Sequence, residues 1–170
     1  IALAGLGTVG GGVIRLIEAN QALIARRAGR PIVITAVSAR DRSKKRGVDI
    51  SAYAWDDDMV ILGERADVDV VVELVGGADG SALACAKATI EAGKSFVTAN
   101  KAMIAHHGLK LAEMAEAAKV ALKFEAAVAG GELRPHRRGP RHLHQLPRRR
   151  QGDRQGGAAH ADQRQSVLRR

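Results

Sequence analysis

The hexapeptide Gly5-Leu6-Gly7-Thr8-Val9-Gly10 restricts what this chain can fold into more than any other stretch. It follows directly on an apolar run at residues 1–4. After it Val9, Val13, Leu16 and Ile17, then Leu23 and Ile24, recur at helical spacing with Arg and Glu between them. Pro31 stops that pattern, and residues 32–37, I-V-I-T-A-V, are β-branched enough to form a buried strand. Strand, glycine turn, long helix, strand is a βαβ unit. In that setting each glycine has a mechanical part. Gly5 permits the tight turn, Gly7 lets the backbone approach a pyrophosphate, and Gly10 lets helix and strand pack closely. Thr8 and Val9 lie in the helix's first turn, where unpaired N–H groups face a phosphate.

The alternation continues along the chain. Residues 68–75, V-D-V-V-V-E-L-V, carry the strongest strand signal and are closed by Gly76-Gly77. Asp79 or Ser81 is placed to cap a helix whose Leu83, Ala86 and Ile90 face inward, with Gly93 as its C′ residue. Residues 95–98, S-F-V-T, are a further strand, and Asn100 is placed to cap the next helix. Leu111, Met114, Ala115 and Ala118 give that helix a buried stripe, and residues 120–125 close the series as a strand. Residues 38–58 are polar and read as loop. This order predicts an α/β fold: a Rossmann-type doubly wound parallel sheet over residues 1–131, followed by a disordered Arg-rich tail over 132–170.

A net charge of +9 suggests a nucleic-acid partner until it is mapped. Residues 1–131 hold 16 Lys and Arg against 15 Asp and Glu, whereas residues 132–170 hold 11 Arg against 3 acids. The basic pI therefore says nothing about the larger part. The single cysteine, Cys85, excludes an internal disulfide and fits a reducing compartment, so the cytoplasm is the expected location. No apolar run approaches the roughly 20 residues that span a bilayer, and no membrane partner is expected. The opening I-A-L-A-G-L-G lacks a basic flank and reads as a strand rather than a signal peptide.

The far half of a dinucleotide is read at the end of the second strand. An acidic residue there bonds a ribose 2′-hydroxyl, while an Arg accommodates a 2′-phosphate. This chain has Ser38-Ala39-Arg40, then Asp41, with Lys44, Lys45 and Arg46 close behind. Arg40 can grip a phosphate bidentately and Lys44 adds charge, so NADP is expected over NAD. A solvated basic loop with no ligand is the competing reading.

Lys101 raises a separate question, because the start of a helix already carries partial positive charge. It follows the C-terminal end of a strand, where open α/β sheets place their ligands, so something anionic or reactive is meant to meet it. Three stretches then point the same way as the glycine turn: E-L-V-G-G at 73–77, V-T-A-N-K-A at 97–102 and F-E-A-A-V-A-G-G at 124–131. In that order they make residues 1–131 resemble the nucleotide-binding domain of homoserine dehydrogenase. The resemblance implies an enzyme that interconverts L-homoserine and L-aspartate 4-semialdehyde with NAD(P)H, on the route to threonine, isoleucine and methionine. It implies Lys101 as the catalytic lysine that handles the hydroxyl proton. Val75, Gly76, Thr98, Ala99 and Asn100 would line the nicotinamide side. A monovalent cation such as sodium would be held by main-chain oxygens of Glu125, Val128 and Gly130. The family's homo-oligomers form through a further domain that also binds substrate. Another small-substrate NAD(P) oxidoreductase, or a non-enzymatic nucleotide- or nucleic-acid-binding protein, are the other readings of the same residues.

Some residues stand outside these motifs. Glu73 sits in an otherwise apolar strand and needs a partner or a wet strand end. His106-His107 have no third ligand at metal spacing and read as solvated helix residues. Cys85 reads as a small core residue.

The resemblance stops after Gly131, where the family would continue into its substrate-binding domain. Residues 132–170 contain no Ile, Phe, Tyr, Trp, Met, Lys, Asn or Thr. Such a segment cannot bury enough surface to offset its ordering entropy. Arg, His, Pro, Gln, Gly and Ala dominate it, while residues with A/T-rich codons vanish, the pattern of a GC-rich gene read out of frame. An arginine-rich arm gripping RNA or DNA phosphates is the alternative, and the lack of aromatics and lysines there speaks against it. On this reading the chain keeps cofactor binding, lacks the substrate and dimerisation domain and is inactive alone.

Overall fold

A computed structural model describes residues 1–124. In chain order these form β1 (Ala2–Ala4), α1 (Thr8–Ala19), α2 (Gln21–Ala28), β2 (Ala36–Ser38) and β3 (Ala54–Trp55). A 3-10 helix at Met59–Gly63 follows, then β4 (Val70–Glu73), α3 (Ser81–Glu91), β5 (Ser95–Thr98), α4 (Lys101–Ala117) and β6 (Leu122–Lys123). The strands make one parallel sheet in the order β3-β2-β1-β4-β5-β6. The chain runs outward from β1 to β3, returns, and then runs outward on the other side. That reversal opens a crevice at the C-terminal ends of β1 and β4.

Side chains alternate across each strand, so β1 feeds both faces. Ala2 and Ala4 join a core with Val71, Ala86, Ile90, Phe96 and Leu111, under α3 and α4. Leu3 joins the other core with Ile14, Ile17, Ile34 and Val37, under α1. Burying a side chain such as Phe96, Ile90 or Leu111 completely is worth about 1.5–3 kcal/mol each. The expected doubly wound parallel sheet is therefore the observed one.

The structure revises several local expectations. The first helix is two helices, broken at Asn20, whose Nδ2 donates to Leu16 O at 2.8 Å and whose N–H donates to Ile17 O at 3.2 Å. Its buried face carries Gly10, Ile14 and Ile17, whereas Val9 and Leu16 are each 59% exposed. The cause lies at Gly10. A Cβ there would sit 2.1 Å from Gly5 O, so this residue has to face the strand, and its rotation brings Ile14 and Ile17 inward with it.

Of the strand expected at 32–37, only Ala36 and Val37 are paired, with Ser38 added opposite Ala4. The stretch read as loop contains β3 and the start of its neighbouring turn, and the 3-10 helix follows directly on it; both elements are too short to show a period. Neither Asp79 nor Ser81 caps α3; its N-cap is Gly80, at φ 75°. Gly93 does end α3 as expected, at φ 70°, its N–H on Ile90 O at 2.9 Å and that of Lys94 on Thr89 O at 3.1 Å. Expectations for residues 125–170 lie outside the described residues. Among the described residues no helix is long and apolar enough to cross a membrane.

Candidate functional site

The β1–α1 turn is shaped by what its residues lack. Gly5 takes φ 104°, and its N–H donates to Ser38 O at 2.8 Å. A Cβ on it would lie 2.9 Å from Val75 Cγ2 and 3.0 Å from the Leu74 carbonyl. Gly7 is the N-cap of α1 and supplies no side-chain cap. A Cβ at Gly7 would meet nothing within 4 Å, so the space beside that backbone is open. Gly11 N–H bonds Gly7 O at 3.0 Å; the N–H groups before it have no carbonyl one turn back. Thr8 and Val9 are exposed beside them. These are the conditions under which a helix N-terminus receives an anion.

Three hollows surround this turn. One of about 420 Å³ runs from Gly5 and Gly7 past Leu74 and Val75 to Arg40 and Lys44. A second of about 230 Å³ adjoins it from Arg40 to Gly76 and Ser81, and a third of about 250 Å³ joins Gly7 and Thr8 to Arg15 and Lys44. Arg40 and Lys44 are both exposed on this rim. Arg46 builds the loop that carries them. Its guanidinium donates to Lys44 O at 2.7 Å and to Asp41 O, and it lies 5.5 Å from the centre of the Trp55 ring. Asp41 is occupied within the same loop. Its Oδ1 accepts from Ser43 N–H at 2.8 Å and from Ser43 Oγ at 2.7 Å. Those bonds hold its carboxyl below the usual aspartate range. In the sequence Arg46 stands in a basic cluster with nothing to mark this part, and nothing marks Met59 and Leu74 as lining residues. The signal was absent, because their position depends on the short 3-10 helix and on where β4 ends.

The other end of the crevice is held by side chains. Ala4, Glu73 and Thr98 are partners across β1, β4 and β5, so these strand ends lie level. Glu73 is fully buried, and both carboxylate oxygens accept: Oε1 from Val75 N–H and Oε2 from the Thr98 hydroxyl, each at 2.5 Å. Thr98 Oγ1 in turn accepts from Asn100 N–H at 2.9 Å. Asn100 caps α4, Oδ1 accepting from Met103 N–H at 3.1 Å, and its Nδ2 donates to Gly77 O at 2.5 Å. Burial pushes the Glu73 carboxyl up from its ordinary value, opposed by the bonds from Thr98 and Val75. Lys101, the first residue of α4, is exposed and has no hydrogen-bond or ion-pair partner among the described residues.

The candidates thus fall on one edge of the sheet. Gly5, Gly7, Thr8, Arg40, Lys44, Val75 and Gly76 line the hollows, whereas Val9 and Gly10 follow in the first turn of α1 and line none of the three. Thr98, Ala99, Asn100 and Lys101 form the turn two strands away. Glu125, Val128 and Gly130 lie outside the described residues, and the cation expectation rests on resemblance alone. His107 Nε2 bonds Asp79 Oδ1 at 2.7 Å, and Cys85 is buried with its thiol pushed up to about 12 by desolvation. A further hollow of about 580 Å³, larger than these three, lies elsewhere, between α1–α2 and residues 31–34. Its ionisable groups, Glu18 and Tyr53, bond each other at 2.6 Å, and it meets neither glycine turn nor strand end.

Comparison with known proteins bears on the family and the fold. Residues 5–125 match the family model described as homoserine dehydrogenase, NAD binding domain. A homoserine dehydrogenase of Neisseria gonorrhoeae is 47% identical over 131 residues, 77% of this chain and 30% of that protein. One from Corynebacterium glutamicum is 45% identical over 130 residues, 76% of this chain and 29% of the relative. The crystal structure of S. aureus homoserine dehydrogenase at pH 7.5 superposes with a TM-score of 0.68 at 39% identity, covering 74% of this chain and 32% of that one. The chain therefore spans about a third or less of the length of these three relatives.

Proposed function

The chain belongs to the homoserine dehydrogenase family, and from that premise we propose that residues 1–131 form the cofactor-binding part of an NADP-dependent homoserine dehydrogenase. The reaction it serves is the interconversion of L-homoserine and L-aspartate 4-semialdehyde. One observation carries the cofactor reading: α1 begins without a side-chain cap, over open space at Gly7 and beside the Arg40–Lys44 rim.

The residues fit a phosphorylated dinucleotide. The first-turn N–H groups of α1 would receive the pyrophosphate. Arg40 and Lys44 would receive the 2′-phosphate, and the carboxylate that follows Arg40 in the loop, Asp41, already accepts from Ser43. That arrangement favours NADP over NAD. When bound, the nicotinamide ring accepts or supplies a hydride. Val75, Gly76, Thr98, Ala99 and Asn100 form the walls that orient it. Lys101 Nζ holds and moves the proton at the substrate oxygen, from a site unencumbered by any ion pair among the described residues. The matched part spans about 30% of the curated relatives, so we assign substrate recognition and subunit assembly to residues beyond the matched part. A reducing compartment such as the cytoplasm suits the lone buried thiol of Cys85.

Thermal melts with and without nucleotide test this reading. NADPH at about 100 times its Kd should stabilise the chain by about 2.7 kcal/mol, and NADH at the same concentration by less. With aspartate semialdehyde present, the isolated chain should not oxidise NADPH. No stabilisation by either coenzyme would refute the cofactor assignment, and turnover would refute the division of labour.

A further inference from the structure

The E-L-V-G-G and T-A-N-K-A motifs share a bond that neither explains alone. Glu73 is fully buried and has no cationic partner among the described residues. Such a carboxylate is costly to hold, so stability alone does not account for it. Nor can it act on a substrate, since no part of it reaches the surface. What it does is join two segments. One oxygen holds the Val75 N–H of the loop after β4, and the other holds the Thr98 hydroxyl at the end of β5. From Thr98 the chain of bonds continues to Asn100 N–H, and Asn100 reaches back to Gly77 O on the first loop. The result is a closed ring of hydrogen bonds, and Lys101 is the next residue along.

We propose that Glu73 is a positioning residue that locks the loop at 74–77 to the turn bearing Lys101, so that both walls of the nicotinamide end are set as one rigid unit. The inference rests on the cofactor reading above and adds to it which group fixes the geometry. A glutamate suits this position because an ionised carboxylate accepts on both oxygens, and Val75 and Thr98 both donate. A glutamine in the same shape accepts on one atom only. It can keep Val75, but its amide then faces Thr98 as a donor, and the buried Thr98 hydroxyl proton is left without the acceptor that Glu73 supplies.

The test separates the two ends of the crevice. The full 170-residue chain is titrated by calorimetry with NADPH and with adenosine 2′,5′-bisphosphate, which has the 2′-phosphate but no nicotinamide. Glu73→Gln and Thr98→Val should each weaken NADPH about tenfold and the bisphosphate by less than about twofold. Thr98→Ser, which keeps the hydroxyl, should restore NADPH binding. The double variant should be no weaker than either single one, because both cut the same link. Equal losses for the two ligands, unchanged NADPH affinity or additive losses would each overturn the proposal. Circular dichroism melts identify any variant that fails to fold; if Glu73→Gln does, the Thr98→Val and Thr98→Ser pair decides. A wild-type chain that binds neither ligand removes the cofactor reading itself, an outcome distinct from equal losses.

Discussion

Helices α1 and α4 begin on the same edge of one sheet and finish their first turns in opposite ways. At α1 the N-cap is Gly7, which offers no side chain, and the N–H groups stay open. At α4 the N-cap is Asn100, whose carboxamide accepts from Met103 N–H and ties the turn to Gly77. An open N-terminus is a receptor for an anion. A closed one is a mounting, and here it carries Lys101. The sheet thus presents one open helix start, where we propose that phosphate binds, and one closed helix start that carries Lys101. The difference lies in two residues, Gly7 and Asn100.

Substitutions can break this contrast, beginning with the largest effect. Gly10→Ala puts a Cβ 2.1 Å from Gly5 O, where only backbone movement relieves it. It should cost at least about 1–3 kcal/mol in thermal or urea unfolding and remove NADPH binding with it. Gly7→Ala should do the reverse. Its Cβ meets no protein atom within 4 Å, so stability should change by less than about 0.5 kcal/mol while NADPH affinity falls about tenfold or more. An unchanged Kd would show that the turn is ordinary scaffolding.

The carboxylate end makes a pH-dependent prediction. Glu73 is held above its ordinary value of 4.5, chiefly by desolvation. A raised folded-state pKa means the folded state takes up the proton more readily than the unfolded chain. Its contribution to stability is therefore complete below pH 4.5 and is lost as pH rises through the folded value. Urea melts at a series of pH values should show wild type losing ground to Glu73→Gln as pH increases; a constant difference would contradict the assignment. The smallest effect belongs to the hollow between α1–α2 and residues 31–34. Tyr53→Phe removes the bond to Glu18 there, should cost about 0.5–1.5 kcal/mol, and should leave NADPH affinity unchanged.

Much of this was legible in the sequence, for identifiable reasons. Glycines that must be glycine announce themselves: Gly5, Gly10 and Gly93 stand where a positive φ or a close backbone contact requires them. Asn100 was legible as a cap because its side chain acts three residues away. What was hidden depended on distant contacts. The inward face of α1 follows from the Gly10–Gly5 approach rather than from the helix's own apolar pattern, so Val9 and Leu16 read as core and lie outside. β3 and the 3-10 helix are too short for periodicity, and Trp55 packs over Arg46 through tertiary placement alone. Glu73 showed as an anomaly in an apolar strand, but its partner Thr98 is 25 residues on and visible only once β4 and β5 are paired.

On the proposed function, the uncapped start of α1, with the Arg40–Lys44 rim, receives a phosphorylated nicotinamide dinucleotide. Calorimetric titration of the wild-type chain and Arg40→Ala with NADPH and NADH is the decisive experiment. One saturable site is expected, with NADPH preferred and that preference reduced about tenfold or more in Arg40→Ala. Absence of heat with both coenzymes on the wild-type chain, or a preference untouched by the substitution, would contradict it.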